Sequence, residues 1–197
     1  MRERLLRLEA WCQTNRPEYL QALAPPAAES ELAKLKQRFE DVPEALLDLF
    51  RWHNGTKENQ TQAFIHNFAL MSVQECVDAI DGFNAMNAAE AFEEKYWWRP
   101  KWIPFLESWG GDHLCLDLEG VFFGRAGQVI EFWHDDDCRS VLAPTFETWF
   151  DCFVEALEAS LFSVEEGDLE ADDAYDDFCE QKLEGYPIEG KSDGDVL

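Results

Sequence analysis

Residues 102–133, WIPFLESWGGDHLCLDLEGVFFGRAGQVIEFW, decide the fold. Three short apolar runs, Trp102–Leu106, His113–Leu118 and Gln128–Trp133, are separated by Gly110-Gly111-Asp112 and by glycines at 120, 124 and 127, the pattern of adjacent antiparallel strands. Gly111 relieves a tight turn, Asp112 caps that turn through the backbone, and Asp117 ends a strand where solvent begins. Trp102 belongs to the core. Trp109, beside the Gly-Gly turn, is the aromatic left for a contact, because tryptophan commonly anchors interfaces.

Upstream the pattern is helical. Leu5, Leu6, Leu8 and Trp11-Cys12 recur at helical spacing through the first dozen residues, and Asn15-Arg16-Pro17 interrupts them before a short turn around Tyr19–Leu23. A helix starts near Ser30, with Leu32, Leu35 and Phe39 on one face. Val42-Pro43 closes it and places Pro43 in the first turn of the next, PEALLDLFRWHNG, whose Asn54-Gly55 supplies residues that tolerate positive φ at a helix end. His53 in that last turn reads as a capping residue, since the helix dipole favours a cation there. Phe64–Met71 predicts a strand or two after a polar loop, Lys57–Gln62. Ser72-Val73-Gln74-Glu75 is a capping box that opens a further helix, with Gly82 expected to interrupt it and a second helical piece expected through Ala85–Tyr96.

Downstream, Arg139–Ala143 forms a last short strand, and the helix after Pro144 covers the sheet with Trp149, Phe150, Phe153, Leu157 and Leu161. Together these give an α+β fold: a mostly antiparallel sheet of about five or six strands with helices packed around it. The domain expected is 1–163, helical N-terminal segment included. Residues 164–197 carry thirteen acids against two bases and read as an acidic C-terminal extension, with a weak helix over about Leu169–Leu183 and a disordered tail from Gly185.

Across 197 residues there are 41 acids and 16 bases, a formal charge of -25, and such a surface repels nucleic acid and anionic membranes while attracting a basic partner. No apolar run approaches the roughly 18 residues of a membrane span. The six cysteines form no CxxC pattern or dense framework, and Met1-Arg2-Glu3-Arg4 leads into an amphipathic pattern instead of a signal peptide, so a cytoplasmic protein with reduced thiols is expected.

The chemistry-bearing clusters read as non-catalytic and free of cofactor. His134-Asp135-Asp136-Asp137-Cys138 contains ligand residue types, but consecutive side chains alternate in direction, and no EF-hand loop or H-x3-H pair accompanies them. Cys115, between two leucines, reads as a buried hydrophobe beside His113. There is no G-x-S-x-G elbow, and the Gly120–Gly127 glycines do not open a helix as a phosphate-binding loop would.

From Ser30 to Leu161 the order of features resembles the SUKH superfamily, which includes fungal Knr-type cell-wall-assembly regulators and bacterial immunity proteins of polymorphic toxin systems. The resemblance rests on Val42-Pro43-Glu44…Leu49…Asn54-Gly55 and on Leu70-Met71-Ser72…Glu75. It continues through Trp102-Ile103-Pro104-Phe105, Gly110-Gly111-Asp112…Cys115-Leu116-Asp117 and Gly127-Gln128-Val129, with a His134-Asp135 step after them. Val42 stands where leucine is usual, and the Asp117–Gly127 segment lacks the usual prolines. The resemblance implies a non-enzymatic protein-binding module. The leading expectation is an immunity protein that occludes a basic, nuclease-like toxin domain, with Trp109, Asp112, Asp135, Asp136 and Asp137 as contacts. The alternative is a scaffold or regulatory protein of the cell-wall-assembly type. The acidic rim serves either role only if the fold brings the turn at Asp112 and the segment at Asp135–Asp137 to one side of the sheet.

Overall fold

The computed structural model describes residues 1–58, 62–89, 95–122, 124–165 and 167–194. Its centre is a five-stranded antiparallel sheet in which chain order and spatial order coincide: β1 (Phe68–Leu70), β2 (Trp102–Ser108), β3 (His113–Asp117), β4 (Gln128–Phe132) and β5 (Val141–Ala143). The quoted stretch supplies the three middle strands, paired His113 to Phe132 and Asp117 to Gln128. Pro104 has no N–H to give a ladder, and β2 accommodates it with a register shift between Pro104 and Leu106. The carbonyl of Phe105, at that irregularity, accepts from the Met71 amide at 3.1 Å.

Strand alternation divides the side chains between two packed faces. His113 and Phe132 face Phe83 of α5 (Val73–Ala88), with ring centroids 5.3 and 4.9 Å away, and Trp98 and Trp102 close that layer. On the other face Phe105 meets Phe146 and Trp149 of α6 (Phe146–Glu158). Trp102 is fully buried, as its place in the apolar run predicts.

The other helices form an outer shell. Arg4 and Arg7 of α1 (Arg2–Asn15) make two-pronged ion pairs with Asp151 and Glu158 of α6. The short α2 (Pro17–Ala22) leads on to α3 (Glu29–Arg38), which lies against α5 through Arg38–Asp81. α4 (Glu44–Trp52) begins immediately after Pro43, which is its N-cap and not a residue of its first turn. At its far end, Asn54 Oδ1 accepts from the Val73 amide at 2.8 Å, satisfying an orphan donor at the start of α5, and Asn54 Nδ2 donates to Glu31. Gly55 has φ +80, and a Cβ there would come within 2.7 Å of the Ser72 nitrogen, so this position requires glycine.

Two expectations are corrected. α5 runs unbroken through Gly82, where a Cβ would meet nothing within 4 Å: glycine's intrinsic cost in a helix, about 1 kcal/mol, is outweighed by the burial of Val73, Cys76, Val77 and Ile80. The second helical piece expected through Ala85–Tyr96 falls partly on residues 90–94, and the polar loop Lys57–Gln62 partly on 59–61, outside the described residues. The acidic extension carries the expected helix, shortened at its start by a hairpin, and beyond Gly185 its described residues pair with the sheet in place of the disordered tail that composition predicts. It forms a hairpin, β6 (Phe162–Glu165) with β7 (Asp168–Ala171), and then α7 (Ala174–Lys182). The chain then runs back along the free edge of β5. Ile188 and Val141 exchange backbone hydrogen bonds at 2.8 and 2.9 Å, Gly190 accepts from Arg139, and Ser192 donates to Asp137 while accepting from Tyr96. An unpaired strand edge is a strong template for backbone pairing, and here it captures a segment whose composition alone reads as solvated.

Candidate protein-binding site

Because β3 begins where β4 ends, the β2–β3 turn and the segment 133–140 lie at one end of the sheet. They touch directly. Asp112 Oδ1 accepts from the His134 amide at 3.1 Å and lies 2.9 Å from His134 Nδ1. The Asp135 carboxylate is 3.8 Å from the same ring nitrogen. The turn itself is tied by Ser108, whose hydroxyl accepts from the Gly110 and Asp112 amides and donates to Asp112 Oδ2. Gly111, at φ +100, lets the turn pass under the imidazole, which a Cβ would meet at 3.4 Å.

Asp112 is therefore a staple between two loops, only 8% exposed. Burial works to raise its pKa, but the hydrogen bonds from the His134 ring, the His134 amide and Ser108 together hold the carboxyl below its ordinary value. Asp137 is also engaged, by Lys191 Nζ at 2.8 Å on the returning C-terminal segment. Asp136 uses one oxygen to accept from the Cys138 amide. Asp135 and Asp136 remain exposed, and beside them stand Trp109 at 58% and Trp133 at 37% exposure. Two large indole surfaces and two exposed carboxylates thus lie together at this end of the sheet.

Arg139 organises that end, and sequence reasoning missed it. Its guanidinium is fully buried and donates to five backbone carbonyls: Tyr96, Trp97, Trp133, Asp136 and Cys138, at 2.5–3.1 Å. It also lies over the Phe132 ring, 4.6 Å from the centroid. Burial lowers its pKa to about 10, which leaves it charged at neutral pH. The available signal was a single arginine closing an otherwise acidic run between two strands. A second buried arginine, Arg16, fixes the hairpin of the extension through the Gly167 and Ala63 carbonyls.

The opposite end of the sheet holds Asp117, Gly127 and Gln128. Asp117 is completely buried, contrary to the expectation that solvent begins there. Its oxygens accept from the Glu119 and Val121 amides and from Gln128 Nε2, each at 2.8 Å, and its carbonyl accepts from Gly127. A carboxylate saturated by its own loop holds that loop shut. Pro43, Asn54, Gly55, Trp102 and Pro104 are likewise placed in the framework and not on the exposed face.

His134, Asp112 and Asp135 offer ligand atoms within 4.8 Å of one another. His134 Nδ1 sits between two carboxylate oxygens at 2.9 and 3.8 Å, a position that uses its proton for hydrogen bonding. No helix among the described residues is long and apolar enough to cross a membrane.

Comparison with known proteins places this architecture. A glucan synthesis regulatory protein of Neurospora crassa is 22% identical over 206 aligned residues, covering 81% of this chain and 39% of that protein. A KNR4/SMI1 homolog 2 of Debaryomyces hansenii is 32% identical over 75 residues, 38% of this chain and 13% of that protein. The alignments thus span well under half the length of these curated relatives. The sequence profile of the SMI1 / KNR4 family (SUKH-1) matches residues 26–152, from the approach to α3 into α6, and so takes in the whole five-stranded sheet. With more than half of its length matched, the chain belongs to the SMI1/KNR4 family, SUKH-1.

Proposed function

We propose that this protein is a non-catalytic regulatory module that binds basic segments of other proteins through the sheet end carrying Trp109, Trp133, Asp135 and Asp136. The observation that carries the reading is the convergence of the β2–β3 turn and the segment 133–140 into one exposed face, aromatic at its centre and acidic at its edge. The net charge of -25 speeds encounter with a cationic surface, and the indoles supply the area that slows dissociation. The names of the relatives favour a scaffold or regulator of the glucan- and cell-wall-assembly type, with several cellular partners, over the toxin-immunity reading. The acidity serves both readings equally, so charge does not separate them.

Affinity capture with the full chain, set against Trp109→Ala combined with Asp135→Asn and Asp136→Asn, tests the site. Several proteins lost together from the variant support the regulatory reading, and one tightly held toxin domain supports immunity. Partners retained by the variant would place the interface elsewhere. Association with a captured partner should slow by about tenfold or more between low and high salt, and a salt-independent rate would remove steering from the mechanism.

A further inference from the structure

Cysteine side chains differ sharply across this molecule. Cys12, Cys76 and Cys115 are buried in the core, and burial pushes their thiols up, Cys12 to about 12. Cys152 of α6 and Cys179 of α7 are different: their sulfurs lie 3.1 Å apart across the contact between the two helices. Both line a cavity of about 350 Å³ together with Trp149, Tyr175 and Leu183, and Cys179 is only half-buried. α7 has no fully buried residue; it packs Tyr175, Phe178 and Cys179 against the core, with a Lys182–Glu155 ion pair and a 4.7 Å ring contact between Tyr175 and Phe162.

We propose that Cys179 and Cys152 form a peroxide-reactive dithiol, Cys179 attacking and Cys152 resolving, whose disulfide fastens α7 to α6. Three features support this assignment independently of the protein-binding face. The first is proximity: the sulfurs need to close by only about 1 Å to reach bonding distance, which side-chain rotation with a small shift of α7 supplies. The second is asymmetry. The hydrogen bond with Cys152 favours the Cys179 thiolate, burial opposes it, and the Tyr175 hydroxyl favours it again, with a net lowering. The same thiol–thiol hydrogen bond and burial raise Cys152. The third is access, since the cavity and the half-exposed Cys179 admit a molecule as small as hydrogen peroxide.

The chemistry balances with a hydroperoxide as the oxidant. The Cys179 thiolate attacks one peroxide oxygen, the O–O bond breaks, and the departing hydroxide takes a proton and leaves as water, giving a sulfenic acid. Cys152 then attacks that sulfur and its thiol proton leaves with the displaced hydroxide as a second water. The net result is two thiols oxidised to one disulfide and one peroxide reduced to two waters. The bond would link residues 27 positions apart and constrain the segment containing the β6–β7 hairpin.

The test uses the full reduced chain, substoichiometric hydrogen peroxide and peptide mapping. The expected product is a Cys152–Cys179 linked peptide, with a mass loss of about 2 Da, formed at least about tenfold faster than any modification of the half-buried Cys138. Oxidised protein should melt several degrees higher than reduced protein, by roughly the shift that a closed loop brings to a domain of this size. In Cys152→Ser the sulfenic acid should persist and be trapped on Cys179 by a cyclic 1,3-diketone. In Cys179→Ser the rapid reaction should disappear. Cys138 reacting first, Cys179 passing to sulfinic acid without a linked peptide, or diketone labelling on Cys152 in place of Cys179 would each overturn the assignment.

Discussion

The two ends of the central sheet are each organised by an aspartate flanking β3, and they come out opposite in character. At one end Asp117 is spent entirely inside its own loop, on two amides and Gln128. At the other, Asp112 reaches across to His134 in a second loop, and the surface around that staple is left open with Trp109 exposed. A carboxylate that bonds within one loop closes that loop. One that bridges two loops holds both in place while freeing the side chains between them. The difference separates closed framework from open surface, although both aspartates belong to the same motif in the sequence.

The largest break in the comparison comes at the closed end. Asp117→Ala should cost about 3–5 kcal/mol, since it leaves two amides and the Gln128 amide group buried without their acceptor. Urea unfolding reads this directly. A loss below about 1 kcal/mol would mean that the loop re-satisfies its donors without the carboxylate.

His113 lies next to Asp112 and tests how dry the core is just beneath the open end. Its ring is buried against Phe83, Nδ1 has no hydrogen-bond partner, and burial lowers its pKa to about 4. The unfolded chain binds this proton near the ordinary histidine value and the folded chain only near 4. Stability contributed at this position therefore falls as pH drops from about 6.5 to about 4, by on the order of 3 kcal/mol. Glu131, pushed up to about 7 chiefly by burial, acts oppositely, because its folded form takes up a proton over much of that range. The measurement is thus a difference: wild type minus His113→Leu, followed by unfolding from pH 7 to 4. The difference should decline steadily with acid, and a flat profile would show the imidazole to be hydrated.

How far the sequence carried this picture varies by element, for physical reasons. The three middle strands were legible because glycine-bounded apolar runs have few other folds available, and the capping box at Ser72 formed as written, with Glu75 and Ser72 bonded reciprocally. Gly82 misled because propensity is a local quantity and α5 is held by its buried face. The C-terminal segment misled because its composition says nothing of the vacant edge of β5 that it fills. Arg16 and Arg139 were invisible for a related reason: their partners are backbone carbonyls, which leave no mark in a sequence. The make-up of the proposed site was half legible. Trp109 and the acidic residues were identifiable by type and by their place at turns. That Asp112 and Asp137 are tied to distant parts of the chain, while Asp135 and Asp136 are not paired with a lysine or arginine among the described residues, depends on contacts across 22 and 54 positions of chain.

At the open end, Asp112→Asn should cost only about 1 kcal/mol, because the amide oxygen still accepts from the His134 backbone while the charge is lost. The folded pKa of Asp112 is depressed. Its contribution is therefore fully present above the ordinary aspartate value and lost as pH falls through the folded value. Wild type and Asp112→Asn should differ by a constant amount from pH 5 to 7 and converge in stronger acid. If they differ equally at every pH, the carboxylate's charge plays no part in the staple.

Trp109→Ala should have the smallest effect on the fold and the largest on binding, and that inversion is the sharpest form of the contrast between the two ends. The indole is 58% exposed on a turn whose hydrogen bonds run through Ser108 and Asp112, so its removal should change stability by no more than about 0.5 kcal/mol. As an anchor beside Asp135 and Asp136, its loss should weaken partner binding by about tenfold or more, mostly through faster dissociation, because an interfacial tryptophan contributes contact area and charge governs encounter. Asp135→Asn with Asp136→Asn should do the reverse, slowing association and flattening its salt dependence while changing dissociation little. Stopped-flow association and dissociation rates on the three proteins separate these contributions. If Trp109→Ala slows association and leaves dissociation alone, the indole is not in the interface and the open end of the sheet binds by its carboxylates alone.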